Sequence, residues 1–200
     1  MRGVDRMRTR ESLLVDRFLP TFDVALTEHL VIGVEAERAF AAMVDFDFMT
    51  VKTPVLQAAL FVRGIPSFLA RRDRDPVPEL RLSQGTDLPG WGLFGIEPGR
   101  ELAFGAIGRF WQADITWGEV DPDTFADFNE PGWGKIGCAL YVRPGDRERS
   151  CISYECRTAT TDPDSRRMFA RYWTLIRPFV RHILRATLRT IGEQAKARAG

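Results

Sequence analysis

Histidine is scarce in this 200-residue sequence, which contains only His29 and His182. Most zinc sites and the familiar catalytic triads draw on histidine. The sequence has no H-E-x-x-H motif and no Cys/His ligand set. His29 follows Glu28 on a predicted strand, so the two side chains point to opposite faces, and His182 is predicted to be a surface or boundary residue. We therefore expect no metal ion and no other cofactor, and assign no catalytic residue.

Cysteine and long apolar runs are also rare. The three cysteines, Cys138, Cys151 and Cys156, form no C-x-x-C motif and are predicted to be reduced packing residues. No stretch approaches the roughly 18 consecutive apolar residues of a membrane span. The basic stretch from Met1 to Arg10 lacks the apolar segment of a secretory signal. These features predict a cytoplasmic protein without a transmembrane segment.

Charge is balanced overall but not along the chain. The net charge is +1, yet the segment from Asp162 onward carries nine Lys or Arg against three Asp or Glu. Such a basic segment could meet an anionic membrane or a protein partner, although a solvated helix face is the simpler interpretation. A nucleic acid is not predicted as a partner, and a homodimer is left open. Hydrophobic residues make up 44% of the chain, enough for a real core.

Periodicity indicates the elements of the first half. Apolar residues alternate from Phe22 to Ile32 and predict a half-buried strand, whose apolar face is interrupted by Glu28. Helical spacing follows over Ala36 to Val44, and a second short helix is predicted over Val55 to Val62. The stretch from Arg63 to Gly90 mixes prolines with charges, as is typical of a long loop.

The second half reads as antiparallel strands followed by one long helix. Tight turns at Glu97–Arg100 and Pro144–Arg147 separate strand-like segments. The Asp162-Pro163 pair is a helix start, and an apolar face continues from it to about Ala195. The predicted strands are Trp91–Ile96, Glu101–Ile107, Ala113–Val120, Trp133–Arg143 and Glu148–Thr160.

This order of elements, together with four local stretches, resembles the START/polyketide-cyclase-like superfamily, SRPBCC, and a bacterial subgroup within it. The stretches are Glu28 to Phe40, Glu97 to Glu101, Gly108 to Trp111 and Met168 to Trp173. The resemblance implies an α+β helix-grip fold, in which a curved antiparallel sheet wraps around the long C-terminal helix and two short helices follow the first strand. It assigns residues 1–20 to a tail and short turn and residues 21–200 to one domain.

The resemblance also implies a cavity between sheet and helix for an apolar or lipid-like small molecule. Aromatic side chains on the predicted elements suit such walls, while Glu28 and Arg109 would be the polar groups. Two alternatives stay open. One is a cyclase or aromatase-like enzyme in which Glu28 and Arg109 act on a polyketide-like substrate. The other is a peripheral membrane or partner-binding module that uses the basic helix. The candidate ligand-binding residues are Glu28, Phe104, Arg109, Trp111, Trp133, Tyr154, Phe169 and Trp173.

Overall fold

The computed structural model describes residues 12–47 and 90–198. Three helices and five strands lie within these ranges. In chain order they are α1 (Val15–Phe18), β1 (Val24–Ile32), α2 (Ala36–Val44), β2 (Trp91–Glu97), β3 (Glu101–Gly108), β4 (Gly134–Pro144), β5 (Ser150–Thr160) and α3 (Pro163–Ala197).

The five strands form one sheet in the order β1-β5-β4-β3-β2, and all neighbouring pairs are antiparallel. Two hairpins, β2-β3 and β4-β5, account for four of the five strands because each turn returns the chain beside the strand it left. The first strand reaches β5 from the other end of the chain and pairs from Val24↔Thr158 to Ile32↔Ser150. An irregularity in the register between Leu93 and Gly95 shifts β2 against β3.

Helix α3 begins at the predicted Asp162-Pro163 pair. The Asp162 side chain accepts hydrogen bonds from the backbone N–H groups of Asp164 and Ser165, each at 2.9 Å. Pro163 occupies the first turn, where an amide hydrogen has no helical partner anyway. The helix continues through Pro178 for 35 residues, which corresponds to roughly 50 Å at 1.5 Å per residue.

Both faces of the sheet are covered. On one face, α2 and the C-terminal half of α3 pack over β1, β4 and β5, where Met43, Leu140 and Ile191 are fully buried. On the other face, α1 and the segment after residue 120 cover a second apolar cluster that contains Leu19, Phe125 and others. Every residue of β3 is buried as a result. We call these the helix face and the outer face.

The α+β helix-grip arrangement predicted from the sequence is confirmed, with one predicted strand wrong. Residues 113–120 form no strand and contribute only an isolated bridge between Gly108 and Trp117. Their backbone instead turns back on β3 through the Gly118 amide, which donates to the Ile107 carbonyl at 2.9 Å. The predicted helix at 55–62 and most of the predicted loop at 63–90 lie outside the described residues.

Candidate functional site

A cavity of about 320 Å³ lies between the helix face of the sheet and the N-terminal half of α3. The C-terminal half of the helix packs closely, with Leu184, Leu188 and Ile191 buried. In contrast, no helix residue between Phe169 and Leu184 is fully buried. The helix therefore closes one end of the sheet and leaves space beneath its first half.

The walls of the cavity are almost entirely apolar. Alternate residues of the strands and residues at helical spacing on α3 supply the lining side chains. The floor comes from side chains of β2 to β5, one rim comes from the segment after β3, and the roof is one face of α3. The lining residues are Trp91, Phe104, Phe110, Ile115, Trp117, Ile136, Cys138, Tyr154, Cys156, Thr158, Phe169, Tyr172, Trp173, Ile176, Val180, Ile183 and Leu184.

Aromatic rings contact one another around this space. Phe104 lies between Trp91 and Tyr154, with ring centroids 5.9 Å and 6.1 Å away. On the helix, the ring of Phe169 contacts that of Trp173 at 5.8 Å. Tilted ring pairs at these distances add favourable quadrupole interactions to the burial of area. The rings thus support one another and hold the cavity walls in place.

No Asp, Glu, Lys, Arg or His is found among the lining residues that the structure describes. The polar atoms available there are hydroxyl, thiol and indole groups. Burial raises the pKa of the Tyr154 hydroxyl well above its usual range, so this group stays a neutral hydrogen-bonding phenol. Because an unpaired charge is costly in such surroundings, the cavity suits an uncharged guest.

Four of the eight predicted binding residues border the cavity: Phe104, Tyr154, Phe169 and Trp173. Trp111 does not line the cavity but contacts two lining residues, with its ring 6.4 Å from that of Phe169 and 6.5 Å from that of Phe110. It supports the lining ring of Phe169 from outside.

The other predicted residues, Glu28, Arg109 and Trp133, lie away from the cavity. Trp133 packs with the cluster on the outer face of the sheet, and the guanidinium of Arg109 stacks on its ring at 4.6 Å. A tryptophan next to a strand end can pack against either face of the sheet. Here the contacts with Arg109 and with the ring of Phe128 place the Trp133 ring on the outer face. Trp133 and Arg109 therefore belong to a different part of the molecule from the lining residues.

Glu28 does lie on the helix face of β1, as the alternation predicts, but α3 covers it with arginines. Its carboxylate pairs with Arg181 at 2.9 Å and with Arg185 at 2.8 Å, one helical turn apart. The carboxylate is thus held in ion pairs with α3 and is not one of the lining groups of the cavity. Glu28 and Arg109 thus lie in separate contacts, and neither lines the cavity in which they were expected to be the polar groups.

The basic helix face is partly neutralised by such pairs. Besides Arg181 and Arg185, Arg166 pairs with Asp23 at 2.7 Å and Arg167 pairs with Asp164. In the described ranges, 12–47 and 90–198, no helix is long and apolar enough to cross a membrane. The same ranges contain no cluster of three His, Cys, Asp or Glu side chains that could hold a metal ion.

Sequence reasoning missed most of the cavity rim. Trp91 and Trp117 line it with rings 6.3 Å apart, and Phe110 follows at 5.7 Å from Trp117. Trp117 lies in the segment predicted as a strand, and its contribution comes from the close approach of that segment to Gly90. The helix positions Ile176, Val180 and Ile183 could have been found, because they share the helical spacing of Phe169 and Trp173.

Comparison with known proteins adds a likeness of fold. No family model and no curated protein matches the sequence. Among solved structures, the Zhui aromatase/cyclase from Streptomyces sp. R1128 is 10% identical, with 88% of this chain and 96% of that chain covered at a TM-score of 0.41. The Mll3558 protein from Rhizobium loti is 14% identical over 83% and 95% of the two chains, with a TM-score of 0.37. Ara h 8.0201 is 11% identical over 84% and 97%, also at 0.37. Overlaps of this size carry no argument about function.

Proposed function

We propose that the protein binds an uncharged apolar small molecule or lipid-like ligand in the cavity beneath α3. The observation that carries the proposal is a space of about 320 Å³ whose described walls are aromatic and aliphatic and contain no ionisable Asp, Glu, Lys, Arg or His. Protein interiors are normally packed without voids of this size. Ligand pockets span about 300–1,000 Å³, so the volume suits a compact guest.

The polar atoms of the wall set the chemistry of the guest. The neutral hydroxyl of Tyr154 and the hydroxyl of Thr158 can each bond one oxygen or nitrogen of a ligand. Burying a charged ligand head in the same place would cost several kcal/mol, at about the level of an uncompensated ion. The preferred ligand is therefore a largely hydrocarbon or aromatic body with one or two neutral polar atoms.

A neutral fluorescent dye, N-phenyl-1-naphthylamine, tests the proposal. Trp91, Trp117 and Trp173 line the cavity, so a dye bound there should quench tryptophan emission and saturate at one molecule per chain. A matched pair of helix variants then locates it. Ile176 faces the cavity, whereas its neighbour Leu175 is 73% exposed. Ile176→Trp fills the space and should weaken binding at least about tenfold, or about 1.4 kcal/mol.

Leu175→Trp adds the same side chain on the solvent side of the helix and should leave the dye affinity unchanged. Equal losses in the two variants, or no saturable binding of any neutral apolar dye to the folded protein, would contradict the proposal. Trp133→Ala provides a further control, because Trp133 packs on the outer face of the sheet. Its removal should not alter the affinity of the folded protein for the dye.

A further inference from the structure

Two of the three cysteines face each other across adjacent strands in the floor of the cavity. The register of β4 and β5 runs without interruption and places Cys138 directly opposite Cys156. Both side chains line the cavity, and both thiols are free in this structure. Residues that are directly opposed in an antiparallel pair share one face of the sheet, so the two sulfur atoms are neighbours.

The type of pairing follows from the hydrogen bonds at the two ends of the hairpin. The Thr161 amide donates to the Trp133 carbonyl at 3.1 Å, and the Gly145 amide donates to the Arg149 carbonyl at 2.8 Å. Opposed pairs alternate between hydrogen-bonded and non-hydrogen-bonded. Counting inward from either end, Cys138 and Cys156 fall on a non-hydrogen-bonded pair.

This pair type brings the backbones close enough for a disulfide. Non-hydrogen-bonded pairs have Cα atoms about 4.5 Å apart, and disulfides accept Cα separations of about 4.4–6.8 Å. A Cα separation of that typical size lies near the lower limit, which strains the bond and makes it easier to reduce. A bridge here needs no movement of one strand along the other.

The third cysteine cannot take part. Cys151 lies five residues from Cys156 on the same strand, so its side chain points to the outer face. Five residues of strand span about 17 Å at roughly 3.4 Å each, far beyond the reach of a disulfide. Cys151 is therefore an internal control for any thiol chemistry in this chain.

We infer that Cys138 and Cys156 form a redox-active dithiol in the cavity wall, which a low-molecular-weight disulfide oxidises to an intramolecular disulfide. Cys156 is the more accessible of the two and takes the first step: its sulfur attacks the small disulfide, forms a mixed disulfide and releases one small thiol. The Cys138 sulfur then attacks the Cys156 sulfur and releases the second small thiol.

The balance is complete: the protein loses two hydrogens and two electrons, and one small disulfide becomes two small thiols. Burial raises the pKa of the Cys138 thiol, and the adjacent Cys156 thiol raises it further. This lowers the thiolate fraction of Cys138. The attack of Cys138 on the mixed disulfide is nevertheless favoured, because it is intramolecular and the two sulfur atoms are already neighbours. This proximity compensates for the low thiolate fraction of Cys138.

Treatment of the folded protein with 2-hydroxyethyl disulfide, a neutral disulfide that suits the uncharged cavity wall, followed by thiol counting and mass spectrometry, tests the inference. The thiol count after denaturation should fall from three to one, with the loss of two hydrogen atoms and no retained hydroxyethylthio group. Peptide mapping without reductant should recover Cys138 linked to Cys156, and mild reductant should reverse the reaction. Cys151→Ser should form the same link between Cys138 and Cys156, with its thiol count falling from two to none.

Cys138→Ser removes the resolving thiol and should trap the hydroxyethylthio group on Cys156 as a mixed disulfide. Since the mapping of the unaltered protein stands on its own, the inference can be judged even if this variant folds poorly. It is overturned if three thiols remain after long exposure of the folded chain, or if the recovered link includes Cys151. The test does not require any ligand in the cavity, so its outcome is separate from that of the dye experiment.

Discussion

Arg157 provides the sharpest test of how the outer face of the sheet is held together. Its side chain is 1% exposed and bonds the Glu155 carboxylate at 2.6 Å, where Glu155 is 2% exposed. The same guanidinium bonds Asp16 at 2.6 Å and the Leu19 carbonyl at 3.1 Å, so it ties α1 to β5. Arg157→Met keeps most of the apolar stem and removes only the charged group.

The cost follows from burial. Removing one partner of a buried ion pair takes away a charge that compensates the other, which destabilises by about 3–5 kcal/mol. The ion pair of Arg157 with Asp16 adds little to this free energy, because Asp16 is 32% exposed and solvent screens its charge. In a domain of this size a loss of 1 kcal/mol lowers the melting temperature by about 2–4 °C. We therefore expect Arg157→Met to melt about 6–20 °C below the unaltered protein.

A double-mutant cycle measured by urea unfolding separates this reason from a general loss of packing. Adding Glu155→Leu removes the buried carboxylate that faced Arg157, and the double variant should recover most of the lost free energy of unfolding. Dye binding at the cavity should be unchanged in both variants at temperatures where they are folded, because Glu155 and Arg157 point away from it. Additive losses, or an Arg157→Met variant as stable as the unaltered protein, would refute the ion-pair argument.

Two further predictions concern single carboxylates and the dependence of stability on pH. Hydrogen bonds from the Ser165 hydroxyl and from backbone amides hold the pKa of Asp162 well below its usual range. The contribution of Asp162 to the free energy of unfolding is therefore fully present above the unfolded pKa of about 3.9 and is lost as the pH falls through the folded pKa. Asp162→Ala should lower the melting temperature at neutral pH and converge with the unaltered protein in strong acid, while Asp162→Asn keeps a cap and should lose less. Burial raises the pKa of the fully buried Glu101, so the free energy of unfolding should fall as the pH rises from about 4.3 to the folded pKa. Glu101→Gln should flatten that slope in urea titrations, and an unchanged slope would contradict it.

The parts of the fold that local chemistry determines were predicted well. The Asp162-Pro163 helix start, the helix at Ala36–Val44 and the strands on both sides of the Pro144 turn all depend on residues a few positions apart. Glu28 shows the limit. Alternation placed it correctly on the helix face, but its arginine partners lie more than 150 residues away in sequence. Their identity depends on how α3 crosses β1, which no local pattern contains.

The candidate site was predicted less well because no local pattern indicates that the outer face of the sheet is also covered. If only one face of the sheet is assumed to be buried, every aromatic residue on a strand belongs to the same interior. Here α1 and the segment around Phe125 build a second cluster, and Trp133 joins that cluster instead of the cavity. Strand β3 is buried along its whole length, so its residues show no alternation of apolar and polar side chains. The sequence therefore does not indicate which of its side chains point to the helix face and which to the outer face.

The cysteine pair shows why register is the hardest quantity to predict. With the turn placed at Pro144–Arg147, the strands would join Arg143 to Glu148, and Cys138 would then lie opposite Ser153. The structure pairs Pro144 with Ser150, because the chain passes through left-handed backbone at Arg147 (φ 56°) and Glu148 (φ 55°). A shift of three positions changes every partner across the hairpin. An odd shift also changes which side chains meet on each face. Left-handed conformations are uncommon for arginine and glutamate, so the residues of the turn do not predict the longer loop. Without that loop the pairing of Cys138 with Cys156 cannot be predicted either.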